Sequence, residues 1–430
     1  MINQVVFTFI TKIITGLINL GLVVLAAQYL GAEGRGVISL LMLNITIVIL
    51  FAEFSGGGAL VFLLPRHNFR QLLLPAYVWA IIAALVMTTL LTGTHLSPDD
   101  MHLHLLIISL MYCFSAIHLN ALIGLQRIRD QNLASLIQVA VTLGSFFWFL
   151  VIAEKVEIAS YITSLYLGAA VGLATNSYLL FRKIPQRPAE SWQLVIKQMF
   201  SSGFLVQLGN LLQLLNYRLG YYLLEIFRGN QELGVYSTGV SLAEALWLVS
   251  KSISMVQYAR IANSNDPEYA RTLTIQLVKF SLFSTLLILI PLCALPVSAF
   301  TVLFGAEFEE VKQVLIYLSV GTAAFSVSGI FSHYFSGIGQ FHVNTRSSAI
   351  GFGATLLFGI LLIPEYGIMG AGITASISYS LSTIYQYALF CKMTPSRFGE
   401  FLPKKNDWAV IKDEFTRYLQ LRNQNGGKPN

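Results

Sequence analysis

"QLLNYRLGYYLL" runs from Gln213 to Leu224. It lies inside an apolar segment, Met199 to Phe227, long enough to cross a bilayer, which takes about 20 mostly apolar residues. Yet it holds an arginine, three tyrosines, an asparagine and a glutamine. A helix advances about 100° per residue. Gln207, Asn210, Gln213, Tyr217, Arg218, Tyr221 and Glu225 then share an arc of about 140°, and Asn216 falls off it. A charge turned to lipid at this depth is costly, so the stripe must face protein or water. This segment therefore belongs to a membrane protein with a polar interior.

The composition agrees. Of 430 residues, 55% are hydrophobic and 11% charged, against roughly 25% charged in soluble domains; the mean hydropathy is +0.67. Twelve segments qualify as spans: Val5–Leu30, Val37–Leu64, Gln71–Leu91, His104–Ile123, Leu133–Ile152, Ile158–Phe181, Met199–Phe227, Val235–Ile261, Leu273–Phe304, Val311–Ser336, Ser347–Ile363 and Met369–Cys391. The first is too long for a signal-peptide core, carries Lys12 and lacks a cleavage site, so it is read as a retained helix. Cys113, Cys293 and Cys391 all lie in spans, which points to neither a disulfide framework nor a zinc site.

The net charge of +6 is a topology signal and does not argue for a nucleic-acid partner. Arg66, Arg70, Arg127, Arg129, Arg182, Lys183, Arg187, Arg260, Arg271, Arg346 and a basic tail fall on one side. The opposite loops and their edges hold only Arg35, Lys155, Arg228 and Lys312 as cations, beside Asp99, Asp100, Glu154, Glu157, Glu307, Glu309 and Glu310. The positive-inside rule places both termini in the cytoplasm, as expected for a multi-pass protein of a bacterial cytoplasmic membrane.

The hydrophilic stretch "RKIPQRPAESWQLVIKQ", 182–198, with two prolines, reads as a cytoplasmic linker. It divides a six-helix lobe, 1–181, from a second, 199–392. The lobes echo each other. "LGAEGRGVIS" from Leu30 and "RGNQELGVYS" from Arg228 share G-x4-G-V-x-S, 198 residues apart, and "IAEKVEI" from Ile152 pairs with "IPEYGIM" from Ile363. An even number of helices per half makes this a parallel repeat, an arrangement transporters use to bind substrate between halves. In the tail, 393–430, Trp408, Ile411, Phe415 and Leu419 predict a short amphipathic helix.

Other segments carry stripes too. Thr8, Thr11, Lys12, Thr15 and Asn19 share one face of the first, and Ser237, Ser241, Glu244, Lys251 and Tyr258 one face of the eighth. Glu53 precedes the run Gly56-Gly57-Gly58, where bending is expected. Arg218 and Glu244 fall in the periplasmic half of the membrane, Lys12 and Glu53 in the cytoplasmic half, and Lys251 close to midplane. Three buried cations and two acids suit a central polar cavity. A structural alternative pairs Arg218 with Glu244 and lets Lys12 snorkel to the surface. The outer loop "HLSPDDMHLH" lacks a diagnostic metal spacing. His118 and His333 read as satisfied core histidines, and no P-loop is present. No catalytic pair lies at a helix mouth, so an enzyme is not expected.

The stretch from Leu215 to Ala262 resembles the seventh and eighth helices of Wzx-type polysaccharide flippases, members of the multidrug/oligosaccharidyl-lipid/polysaccharide superfamily. His333 to Leu381 is similar to their tenth to twelfth helices, and "LGAEGRG" and "AEFSGGGALVFLLPR" to the first two. The resemblance implies a V-shaped, two-lobed, MATE-like fold and a flippase for an undecaprenyl-pyrophosphate-linked oligosaccharide in surface polysaccharide assembly (O-antigen, capsule or exopolysaccharide). Polysaccharide polymerase and chain-length proteins would be its partners. Pyrophosphate needs cations, which Lys12, Arg218 and Lys251 would supply, while Tyr217, Tyr221, Asn210, Gln213 and Asn19 would line the sugar path. Glu53 and Glu244 would bind H+ or Na+ as the coupling ion, or pair with cations. Relatives often carry an aspartate where this chain has Gly220, so that role would move to Glu244 or Glu53. A multidrug antiporter of the same superfamily is the alternative, though it needs acids in excess. A non-transporting scaffold is a third reading, requiring a core without a cavity.

Overall fold

The computed structural model describes residues 2–98, 100–182, 184, 188, 191–264 and 266–402, with side chains for all of these except 2–6, 56, 201–206, 249 and 259. The tail helix expected around Trp408–Leu419 and much of the expected linker lie outside the described residues. The rest is helical: α1 Ile2–Gly56, α2 Gly58–Leu63, α3 Phe69–Gly93, α4 His102–Gly124, α5 Ile128–Phe147 with a π-turn to Ile152, α6 Ile158–Phe181, α7 Trp192–Ala262, α8 Pro267–Ala294, α9 Val297–Phe304, α10 Val311–Gly337 and α11 Phe341–Met393. Eight helices among the described residues are long and apolar enough to cross a membrane, nine with the bent pair Gln207–Leu248 and Ser250–Ala262. The chain is a polytopic, all-helical membrane protein.

That count is below twelve because three helices run through a reversal. Gly31 (φ 69°), Gly229 (φ 82°) and Gly367 (φ 52°) break α1, α7 and α11 inside otherwise continuous hydrogen bonding. Positive φ is open to glycine and strained for residues with a Cβ. Each long helix therefore consists of two arms meeting at a glycine. Other boundaries also differ from expectation. α7 starts at Trp192 rather than Met199, because Val195 and Met199 bury and carry the helix back into the linker. The ninth expected span is interrupted at Leu295–Pro296, since proline cannot donate to the preceding turn. At the glycine run, α1 ends at Gly56 and α2 begins at Gly58.

The three reversals lie at one end of the molecule. The Arg228 guanidinium donates to the Glu365 carbonyl (2.8 Å), which sets Gly229 beside Gly367. The Glu307 carboxylate accepts from the Ala32 amide (2.7 Å) just beyond Gly31, and Gln28 donates to the Leu303 carbonyl (2.9 Å). This is called the glycine end, and its opposite the terminal end.

Helices α3 to α6 pack on α1 and one another, and α8, α10 and α11 on α7 and one another; the groups meet chiefly where α1 lies along α7. The contact is reciprocal. A Cβ on Gly36 would strike the Asn230 carbonyl, and one on Gly234 the Ala32 carbonyl. Gly36 and Gly234 are counterparts in the sequence repeat, as are Ala32 and Asn230. Ser39 and Ser237, likewise 198 apart, bond to each other at 2.7 Å. Residue i meeting j while j's counterpart meets i's is the mark of a two-fold relation, so the repeat axis passes through this seam.

The hydroxyls of Ser39 and Ser237 suit a covalent test. With Cys113, Cys293 and Cys391 replaced, a Ser39→Cys/Ser237→Cys protein is expected to cross-link under mild oxidation, read as a gel-mobility shift that thiol reverses. No cross-link would show that these arms are apart in the resting protein. Gly36→Val, which drives a branched side chain into the Asn230 carbonyl, is expected to lower the unfolding temperature in detergent by several degrees; an unchanged value would mean that the arms can separate without cost.

Candidate functional site

The stripe that opened the sequence reading lies along the first arm of α7, and its polar groups satisfy one another at helical spacing. Asn210 donates to Gln207 (2.9 Å), Gln213 to the Tyr217 hydroxyl (2.6 Å) and Arg218 to the Tyr221 hydroxyl (2.8 Å). Asn210 and Gln213 are exposed, Tyr217 and Arg218 half-buried, and Tyr221 buried. Asn216, off the stripe, is buried in the second bundle. Its carbonyl oxygen accepts from Thr355 (2.9 Å) and from Ser378, against Gly351. The 100° rule thus separates a residue that joins helices of the second bundle from its neighbours on the stripe.

Arg218 pairs with Glu244 across the two arms of α7 at 2.7 Å, with side chains 24% and 29% exposed. Its guanidinium also lies 4.9 Å from the centre of the Tyr221 ring. Tyr217 stands edge-on to Phe325 (5.1 Å) and Tyr379 (5.7 Å), beside Trp247. Both tyrosines therefore serve as packing partners here, with their hydroxyls committed to Gln213 and Arg218. Tyr222, at the stripe's edge, donates to Asn44 across the seam between bundles.

A second set lies one turn further toward the terminal end. Gly16 of α1 meets Leu248 of α7, so closely that a Cβ on Gly16 would sit 2.7 Å from a Leu248 methyl. The first arm of α1 and the second arm of α7 run in opposite directions. Lys12, four residues before Gly16, and Lys251, three after Leu248, therefore both fall about one turn, roughly 5 Å, on the terminal side of that contact. Both are exposed, and Lys251 lies 5.9 Å from the Trp247 ring centre. No carboxylate lies within ion-pair distance of either among the described residues. Asn19 and Glu244 fall one turn to the other side of that contact. Glu53, half-buried in the other bundle, accepts from Asn120 (3.0 Å) rather than pairing with its repeat counterpart Lys251.

One cation eluded the sequence reading. Arg35, placed there at a loop edge, is only 8% exposed. It bonds to Ser39 (2.5 Å) and Ser241 (3.3 Å), and its Nε has no partner among the described residues. Tyr161, Tyr221, Arg218 and Glu244 act on it electrostatically. The available signal was its place inside G-x4-G-V-x-S, which the fold turns inward at the seam. His118 sits between Tyr77 (2.5 Å) and Ser177 (3.3 Å), and His333 against the Gly329 carbonyl (2.8 Å), as core histidines do. Among the described residues no cluster of His, Cys, Asp or Glu could hold a metal ion.

Two helical bundles joined along a glycine seam, with charges on the facing arms, define a polytopic membrane protein of the transporter fold seen in two solved structures. One is lipid II flippase MurJ in an inward closed conformation (TM-score 0.73, 15% identity, covering 98% of this chain and 93% of that one). The other is an inward-facing multidrug resistance MATE family transporter of the MOP superfamily (0.71, 15%, 88% and 94%). Residues 2–265 match the family described as polysaccharide biosynthesis protein, and the chain belongs to that family. A capsular polysaccharide biosynthesis protein of Staphylococcus aureus is 31% identical over 39% of this chain and 43% of its own length. An uncharacterized membrane protein of Methanocaldococcus jannaschii is 27% identical over 68% and 58%. A probable low-salt glycan biosynthesis flippase of Haloferax volcanii is 21% identical over 37% and 34%. The chain thus spans under two thirds of the length of these curated relatives.

The Arg218–Glu244 pair lies between the exposed and buried regimes. Arg218→Met or Glu244→Leu alone is expected to cost about 2 kcal/mol by leaving one half-buried charge unpaired, and the double change clearly less than the sum. Unfolding in detergent measures this cycle; additive costs would show that the two charges are uncoupled.

Proposed function

We propose that this protein is a flippase that carries a lipid-linked oligosaccharide across the membrane. The substrate is a polyprenyl pyrophosphate glycan, undecaprenyl in a bacterium, moving from the cytoplasmic to the periplasmic leaflet for surface polysaccharide assembly. One observation carries the reading: Lys12 and Lys251 both lie about one turn beyond the Gly16–Leu248 contact, with no carboxylate within ion-pair distance among the described residues. Paired lysines at the mouth of a low-dielectric cleft suit a pyrophosphate, since an anion gains most from cations where water is scarce. Membership of a polysaccharide biosynthesis family, and a relative described as a glycan flippase, favour the same substrate class.

In this reading both termini are cytoplasmic and the twelve helical arms form two six-helix lobes. The seam of Ser39, Gly36, Ser237 and Gly234 closes the outer side while the headgroup enters between Lys12 and Lys251. The lobes then rock, the Gly16–Leu248 contact parts, and Arg218 and Arg35 receive the anion on the far side. Glu244 shares Arg218 with the substrate, so arrival of the anion would loosen the resting pair. Glu53, whose carboxylate is held by the Asn120 amide and by no cation among the described residues, is the better site for a coupling proton or Na+. The membrane potential would also drive an anion outward. Polymerase and chain-length proteins would take the product at the outer leaflet.

The test is reconstitution in liposomes holding an undecaprenyl-pyrophosphate oligosaccharide, with an impermeant glycosidase reporting the leaflet. Wild type is expected to move the lipid. Lys12→Ala/Lys251→Ala is expected to slow it at least tenfold, and the oxidised Ser39→Cys/Ser237→Cys protein to stop until thiol is added. Undiminished movement by the lysine variant would remove the cations from the path. Absence of movement by wild type under imposed H+ and Na+ gradients would sink the flippase reading.

A further inference from the structure

Arg35 stands at the seam with 8% of its surface exposed. A guanidinium carries five N–H groups. Its partners among the described residues are two neutral hydroxyls, Ser39 on its own helix (2.5 Å) and Ser241 on α7 (3.3 Å). Its Nε has none. No carboxylate lies within ion-pair distance of it among the described residues. The charged groups that act on it are Arg218 and Glu244, and Glu244 is held by Arg218 at 2.7 Å. These three side chains leave one positive charge without a counter-ion beside the seam.

The fold does not require a charge at this place. Under the repeat, Arg35 corresponds to Leu233 and Ser241 to Leu43, and both leucines are buried (0% and 4% exposed). The same corner of the two-fold seam is thus apolar on one side and cationic on the other. Nor do the serines depend on the arginine. Ser39 has the carbonyl of residue 35 and the Ser237 hydroxyl as partners (both 2.7 Å), and Ser241 donates to the Ser237 carbonyl (2.7 Å). Removing the guanidinium therefore orphans neither hydroxyl. A charge taken out of water without a counter-ion is unfavourable, and apolar residues in place of buried charges are often neutral or stabilising. The Arg35 charge opposes closure of the seam, while glycine packing and the Ser39–Ser237 bond favour it.

We infer that Arg35 is a counterweight in the seam: an enclosed cation that makes the closed glycine end less stable, and so easier to part, than packing alone would leave it. This role rests on the flippase reading, in which the seam must open, and adds what sets the ease of opening. Parting the second arms of α1 and α7 returns the guanidinium to water at the glycine end, where its charge is no longer penalised. A seam of close backbone contacts without such opposition would favour one state strongly, and a carrier has to populate both. The same opening frees the unused Nε for an arriving anion.

The test reads how often the seam opens with no lipid substrate present, so that loss of an anion contact has no part in the result. In the full-length protein Cys113, Cys293 and Cys391 are replaced, and Ser237→Cys places a buried thiol in the seam. Its alkylation by an impermeant maleimide is timed in liposomes. Arg35→Leu copies the repeat counterpart, and Arg35→Gln keeps hydrogen bonding without charge. Each is expected to slow alkylation about tenfold or more while the unfolding temperature holds or rises. Arg35→Lys, which keeps the charge, should stay within about threefold of the parent. Unchanged alkylation in Arg35→Leu, or Arg35→Lys behaving as Arg35→Leu, would overturn the counterweight. Faster alkylation, or an unfolding temperature several degrees lower, would overturn it too and make Arg35 a tie that holds the seam. Slowed alkylation in Arg35→Leu, where the parent moves no lipid-linked oligosaccharide under H+ and Na+ gradients, would retain the counterweight and overturn the flippase reading.

Discussion

The structure depends on how closely two helical arms approach at the glycine end. Gly36 against the Asn230 carbonyl, and Gly234 against the Ala32 carbonyl, leave no room for a methyl group. In a membrane the hydrophobic effect gives helices little reason to associate, so small residues that permit dispersion contacts and hydroxyl bonds supply the cohesion. The Ser39–Ser237 bond adds polar contact at the same place. Because the four backbone positions are repeat counterparts, the seam lies on the axis relating the bundles.

This explains where charge is placed. Near the seam Arg35 is enclosed and bonded to serines, and one turn away Arg218 is tied to Glu244. Further from the seam, beyond Gly16 and Leu248, Lys12 and Lys251 are exposed. Cations are thus paired or shielded near the seam and exposed beyond Gly16 and Leu248, although Gly57 and Trp79 of the first bundle also meet Gln207 and Phe200 of α7 toward that end. A charge enclosed without solvent must find partners in the protein, while one lining a watery cleft can remain available to a ligand.

Much of this was legible in the sequence because the lipid constraint is strong. The segments, the stripes of the first, seventh and eighth spans, and the repeat "GAEGRGVIS"/"GNQELGVYS" follow from hydropathy, helical angle and spacing. The same angle set Asn216 apart from its neighbours, and Asn216 turned out to join helices within a bundle. Pairing was less legible. Glu53 and Lys251 are repeat counterparts, yet Glu53 bonds to Asn120, because two-fold related positions need not touch away from the axis. Arg35 reads as a loop residue since it follows Gly31 by four positions; only the reversal at that glycine carries it inward. The early start of α7 at Trp192 reflects tertiary burial of Val195 and Met199, which overrides the local signal of a proline-bearing linker.

The two tyrosines of the opening motif show how packing divides labour within one stripe. Tyr217 has its ring among Phe325, Tyr379 and Trp247, and Tyr221 its ring against Arg218 and Tyr236. An aromatic ring fixed on several sides is held by those contacts, so these rings act first as packing. Asn210, Gln213 and Asn19 retain exposed amides, which exchange partners at little cost. A carrier must release what it binds. Weak, exchangeable hydrogen bonds, as the exposed amides of the stripe make, suit that requirement better than a single tight site would. The stripe thus combines rigid elements that hold the helices with exposed amides that are not buried between them.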